Sequence, residues 1–294
     1  MRGLVGAAVL ERRIWRRAKD LETPEATPEA AVDAILMDRL RRRAPAEAQR
    51  QPRVTVVIPA LNEAENLPHV LPRLGDFVDE VLLVDGDSTD GTREVARALR
   101  PDIRTVEQIG RGKGNALCTG FAEATGDIIV MLDADGSTDP AEMPAFIGAL
   151  LAGADFAKGS RFLQGGGTTD MPAYRRLGNK CFVLLVRLLF GGRYTDLCYG
   201  YNAFWSDLLP ELALNGDGFE IETMMNIRTL RARLNVVEIA SFEGERLSGV
   251  GRLRTIPDGW RVLKTIFRER FFAGKPSRLR SRERGVLAED SGQI

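Results

Sequence analysis

The sequence predicts an α/β fold with a mostly parallel, Rossmann-like sheet flanked by helices, and three observations predict it. Short β-branched and apolar runs alternate with helical segments from Arg53 onward. Three of those runs end in polar, carboxylate-rich turns. Helical patterns flank the alternating region on both sides. Strand and helix in this rhythm imply parallel pairing with both sheet faces covered. Ligands of such sheets bind beyond the carboxyl ends of the strands.

The elements follow in order. Val54–Ile58, closed by Pro59, reads as a buried strand, and Glu80–Val84 as a second. A helix is expected over Thr92–Leu99 with Asp90 as its cap. Ile103–Val106 is a weaker strand, Lys113–Ala124 a helix and Ile128–Leu132 a fourth strand. Pro140–Ala152 is helical with proline in its first turn. Upstream, residues 1–20 have basic amphipathic spacing, and a helix over Glu29–Arg43 precedes a linker. Three divisions result: an N-terminal helical extension at 1–52, a catalytic domain at 53–245, and a basic C-terminal helix and tail at 246–294.

Composition narrows the function. The 294 residues carry 41 basic and 41 acidic side chains, so no global charge argues for nucleic acid. The balance is uneven, since Arg246 to Arg284 holds twelve Lys/Arg against three Asp/Glu. A single histidine, His69, excludes a His-rich metal site and leaves no triad. Cys118, Cys181 and Cys198 have no CxxC spacing and read as buried reduced thiols of a cytosolic protein. No apolar run reaches the roughly 20 residues of a spanning helix. The N-terminus does not read as a signal peptide.

The chemistry lies in three clusters: Pro59-Ala60-Leu61-Asn62-Glu63, Asp85-Gly86-Asp87-Ser88-Thr89-Asp90-Gly91, and Asp133-Ala134-Asp135-Gly136. Parallel strands bring all three to one edge. So many carboxylates repel one another unless a cation joins them. Asp133 and Asp135 supply hard oxygen ligands suited to Mg²⁺ or Mn²⁺ shared with diphosphate oxygens.

These clusters, with Gly112-Lys113-Gly114-Asn115 and their order and spacing, resemble the family 2 glycosyltransferases over about residues 53–245. The subgroup that transfers sugars to dolichyl or polyprenyl phosphate is most similar. It carries a Gly-Ser-Arg motif, here Gly159-Ser160-Arg161, then glycines and an arginine, here Gly165 to Gly167 and Arg175, then an Asp-x-x-x-Gly turn, here Asp196 to Gly200. The resemblance implies a GT-A fold, a nucleoside-diphosphate sugar donor, and inversion at the anomeric carbon. It implies that Pro59, Asn62, Glu63, Asp85 and Asp87 hold the nucleoside and that Lys113 lies over base or diphosphate. Arg161 and Arg175 would face phosphate, for which a planar guanidinium fork is suited. Two positions depart from the pattern: Ser137 stands where glutamine is common, and Gly200-Tyr201-Asn202 replaces Gly-Phe-Arg. The Gln-x-x-Arg-Trp signature of processive synthases is absent.

A lipid phosphate acceptor is already ionised, whereas a hydroxyl of a small soluble acceptor needs a base, for which Asp196 and then Glu222 are the candidates. Glu220 and Glu222 equally suit a helix start. Val262, Leu263, Ile266, Phe267 and Phe271 recur at helical spacing among Arg and Lys. That segment suits a membrane surface, packing on the catalytic domain, or a partner. The expected site of action is cytoplasmic, peripheral on the membrane in the first case. Nucleotidyltransferases place a glycine-rich loop after the first strand, and dehydrogenases place G-x-G-x-x-G there, where Pro-Ala-Leu-Asn-Glu stands here. A non-catalytic nucleotide-sugar-binding module is the rival outside enzymes.

Overall fold

The computed structural model describes residues 51–272. The two helices expected before residue 51 and the tail beyond 272 lie outside these residues. The strands are β1 Val54–Ala60, β2 Glu80–Asp85, β3 Arg104–Glu107, β4 Ile128–Met131, β5 Phe156–Ser160, β6 Gly167–Thr168, β7 Asn202–Trp205, β8 Val236–Ala240 and β9 Phe242–Glu243. The α-helices are α1 Leu67–Val70, α2 Thr92–Leu99, α3 Lys113–Glu123, α4 Met143–Leu151, α5 Ala173–Phe190, α6 Leu209–Leu212, α7 Ile221–Arg231 and α8 Thr255–Phe271.

The main sheet runs β3-β2-β1-β4-β7-β5-β8. Pairing is parallel except for β7, which is antiparallel to both β4 and β5. Because side chains alternate along a strand, β1 feeds two cores. Val56 and Ile58 pack with Met143 and Phe146 of α4, while Val57 faces Ala116, Leu117 and Phe121 of α3. A third cluster joins α5, α7 and α8 through Val186, Ile227, Val262 and Ile266. Helix α8 thus packs on α5 and α7, the second of the three arrangements its spacing allows.

Several expectations shift in detail. The helix expected at Pro140 begins as a 3₁₀ turn, Pro140–Glu142, before α4. Gly91, with φ of 84°, caps α2, and Asp90 contributes by accepting the Thr92 N–H at 3.0 Å. Cys181 is exposed rather than buried, and Cys118 and Cys198 are half-buried. The apolar residues of α8 are divided: Val262 and Ile266 are buried, while Phe267 and Phe271 are exposed beside Ile256 and Trp260.

Candidate functional site

The carboxyl ends of β1, β2 and β4 share one edge, because Ala60 pairs with Asp85 and Val57 with Met131. Antiparallel β7 starts at the same edge, with Asn202 opposite Met131. The turn before it, Tyr199-Gly200-Tyr201, is thereby brought against Asp133. A cavity of about 480 Å³ opens here, lined by Pro59, Glu63, Lys113, Asp133, Asp135, Arg161, Arg175 and Glu222 among others.

The carboxylates do not wait for an external cation, because the chain supplies its own. Lys113 Nζ lies 2.7 Å from Asp133 and 3.1 Å from Glu222. Burial alone would lower the pKa of this ammonium, but Asp133 and Glu222 raise it on balance, so it is charged. Burial raises the Glu222 carboxyl; Lys113 opposes that and Asp133 adds to it. Gly200 forms the floor. A Cβ built there would sit 2.8 Å from Lys113 Nζ and 3.0 Å from an Asp133 oxygen. Gly200→Ala is expected to push Lys113 off Asp133 and lower turnover by roughly tenfold with folding retained. Steady-state rates beside a thermal melt check this.

Arg246 does for Asp135 what Lys113 does for Asp133. Its guanidinium bonds Glu63 closely and reaches Asp135 at 3.4 Å. The segment around it lies across the edge: Leu247 N–H donates to the Asp135 carbonyl, Asn66 donates to the Ser248 carbonyl, and Arg252 to the Leu61 carbonyl. Glu63, Asp133, Asp135 and Glu222 thus share two cations, an excess of two negative charges when all are ionised. Among the described residues no three His, Cys, Asp or Glu side chains converge as a metal cage. Asp133 and Asp135, with that surplus, would suit a hard divalent ion that takes further oxygen ligands from a diphosphate.

Toward the other end, Arg161 is buried between two acids. Nε and Nη2 donate to Asp196 at 2.7 and 3.0 Å, Nη2 also to the Cys198 carbonyl at 3.2 Å, and Nη1 to both Glu243 oxygens at 3.0 Å. The Tyr199 ring lies 4.7 Å from the guanidinium carbon. Asp196 is fully buried, and Arg161 and Lys158 hold it well below the usual carboxylate range although burial pushes it up. Its two oxygens face Arg161 and the Cys198 N–H, leaving no edge open to a substrate proton. Both Asp196 oxygens are thus engaged by Arg161 and by backbone N–H groups, an arrangement that suits holding Arg161 rather than taking a proton. Arg175 lines the cavity with Nε on Thr255 and Nη2 on the Leu253 carbonyl.

Of the nucleoside candidates, Pro59 and Glu63 line the cavity, whereas Asn62, Asp85 and Asp87 are not among its lining residues. Asn62, at φ of 56°, ties two loops together by accepting from Thr89 N–H and donating its own N–H to Ser88. Asp87 is exposed at φ of 72°. Asp85 is fully buried; one oxygen takes Arg93 at 2.6 Å and the other has no partner among the described residues. Sequence reasoning missed Glu243, Arg246 and Arg252 as lining residues; the two arginines entered it only as charges of the basic end, and Glu243 did not enter it.

Comparison with known proteins follows the same lines. Residues 55–212 match the family described as Glycosyl transferase family 2. The chain is 34% identical over 213 residues to an undecaprenyl-phosphate mannosyltransferase of Micrococcus luteus, covering 68% of this chain and 87% of that one. It is 32% identical over 222 residues to a polyprenol monophosphomannose synthase of Mycolicibacterium smegmatis, covering 71% and 84%. A solved glucosyl-3-phosphoglycerate synthase of Mycobacterium tuberculosis, in complex with Mn²⁺, UDP and glucosyl-3-phosphoglycerate, superposes with a TM-score of 0.59. That match has 23% identity and covers 86% of this chain and 87% of the other, a likeness of fold.

Proposed function

The chain belongs to glycosyl transferase family 2, and from that premise we propose that it moves a sugar, with inversion, from a nucleoside diphosphate to a polyprenyl phosphate. It has the GT-A fold and is a glycosyltransferase using nucleotide sugars. One observation carries the acceptor reading. The cavity runs from the acidic edge past Arg175 to the gap between α5 and α8, where Phe182 and Val262 line it. The outer faces of those helices bear Leu177, Leu184 and Leu188, and Ile256, Trp260 and Phe271, all exposed. Every exposed charge on the two helices is basic, including Arg176, Lys180, Arg187, Lys264 and Arg268. Their acids, Asp258 and Glu269, are buried. Apolar and cationic side chains without exposed acids suit the surface of an anionic bilayer. Among the described residues no helix is long and apolar enough to cross a membrane. Peripheral docking at a cytoplasmic face fits a lipid acceptor.

Asp133 and Asp135 would hold the divalent ion with the donor diphosphate, and such an ion supplies charge stabilisation to the leaving group. Asp85 uses its unpartnered oxygen to accept a base N–H, while Asn62 and Asp87 shape the loops around it. Pro59 and Glu63 wall the nucleoside, Arg246 exchanges its carboxylates for diphosphate oxygens, and Arg175 with its open Nη1 meets the acceptor phosphate. An oxygen of that phosphate attacks the anomeric carbon from behind as the bond to the nucleoside diphosphate breaks. No proton is removed. If a hydroxyl is the acceptor instead, Glu222 is the base, since it reaches the cavity and burial raises its proton affinity.

The test is transfer of radiolabelled sugar from a panel of nucleotide sugars into polyprenyl phosphate, run beside sedimentation with anionic vesicles. Label enters the lipid, and binding weakens with salt and in a variant with Trp260, Phe267 and Phe271 changed to serine. Label in no lipid with any donor overturns the acceptor reading. Donor binding without transfer to any acceptor favours a binding module.

A further inference from the structure

We propose that Glu243 sets acceptor selectivity by occupying, in the resting protein, the position on Arg161 that an acceptor phosphate takes. The proposal deepens the lipid-phosphate reading and rests on it. A guanidinium has five N–H donors. In Arg161 five contacts match them: two to Asp196, one to the Cys198 carbonyl and two to Glu243. An incoming anion finds no free donor, so it binds Arg161 only by exchange.

The two carboxylates differ in how they are held. The Asp196 side chain is 0% exposed, takes backbone N–H bonds from Arg161 and Cys198, and lies near the buried Lys158. The Glu243 side chain is 18% exposed and lines the cavity, and among the described residues its one further side-chain partner is the Thr168 hydroxyl at 2.7 Å. It sits on the two-residue strand β9, at the start of the segment that carries Arg246 across the donor edge. Asp196 alone neutralises Arg161, so Glu243 is the surplus anion and the exchangeable one. A phosphate has the charge and planar pair of oxygens to replace it on Nη1. A neutral hydroxyl does not, so the exchange favours anionic acceptors and makes each of them compete with an internal carboxylate. The apparent affinity is reduced by the fraction of time that Glu243 is in place.

The experiment uses the full chain with farnesyl phosphate and inorganic phosphate as probes, by titration calorimetry, and acceptor kinetics with farnesyl phosphate. Glu243→Gln is expected to tighten the farnesyl phosphate Kd and lower its KM by about tenfold, with kcat changed far less. Glu243→Asp should return toward wild type. Thr168→Val, which only loosens Glu243, should shift Kd the same way by a smaller factor and keeps the question open to measurement if Glu243→Gln folds poorly. A tighter Kd for both probes locates the effect in the phosphate group; tightening for farnesyl phosphate alone points to the chain and counts against exchange on Arg161. Unchanged Kd and KM in folded variants, or loss of kcat at constant KM, overturn the proposal while leaving the acceptor reading intact. Binding of neither probe to any of the proteins overturns the acceptor reading, and the proposal falls with it.

Discussion

Asp133→Ala and Asp135→Ala are each expected to reduce sugar transfer by roughly 10²-fold or more while leaving the fold in place. The separation of activity from stability follows from the ion pairs. Asp133 is one of two carboxylates on Lys113, and Asp135 one of two on Arg246. Removing either aspartate leaves its cation with a remaining partner, Glu222 or Glu63, so no unpaired buried charge is created. What disappears is the negative surplus at the donor edge, and with it the purchase on a divalent ion and diphosphate. Wild-type protein should gain thermal stability from UDP or GDP only when Mg²⁺ or Mn²⁺ is present, because a ligand bound by the folded state alone raises its stability. Both variants should lose that metal-dependent gain at an unchanged ligand-free Tm. Full transfer activity in EDTA would sink the assignment.

Much of this edge was legible in the sequence, because parallel strands ended by acidic turns have one geometric outcome. The runs at Val54, Glu80 and Ile128 are apolar enough to be central strands, and they carry Pro59, Asp85 and Asp133 to one edge, where Pro59 and Asp133 line the cavity. The second half was less legible. Strand β5 reads Phe-Ala-Lys-Gly-Ser and is fully buried, yet two of its residues are polar, one of them a lysine. Its burial depends on partners β7 and β8, distant in sequence. Glu243 and Arg246 were invisible as site residues for the same reason: each acts on a side chain supplied by a remote part of the chain. Composition registered Arg246 as the first charge of a basic end. Only the folded chain turns it inward. The exposed leucines Leu184 and Leu188 of α5 lie in a run apolar on all sides, and which side faces out is set by packing of Val186 against α7 and α8.

Asp196→Asn is the second substitution with a large expected effect, and it acts first on stability. Asp196 and Arg161 form a buried pair, and removing one charge of such a pair costs about 3 kcal/mol, or a Tm lower by roughly 5–10 °C. Glu243 keeps part of the compensation, which holds the loss to the lower end of that class. The pH dependence has a definite sign. The folded carboxyl titrates below its unfolded value of about 4, so the unfolded chain takes up the proton first as the pH falls. The contribution of Asp196 is complete above that value and is lost as the pH falls through the unfolded and then the folded pKa. The Tm gap between wild type and Asp196→Asn should therefore be widest near neutrality and close below about pH 4. Kinetics separate this role from that of a base. If Asp196 positions Arg161, the loss measured well below the variant's Tm falls mainly on the acceptor KM. If Asp196 removed a proton from a hydroxyl acceptor, kcat would collapse with KM unchanged and Glu222→Gln would be the milder variant. Equal melting curves for the two proteins across this range would show that the pair contributes nothing, and Arg161 would then be held by Glu243 alone.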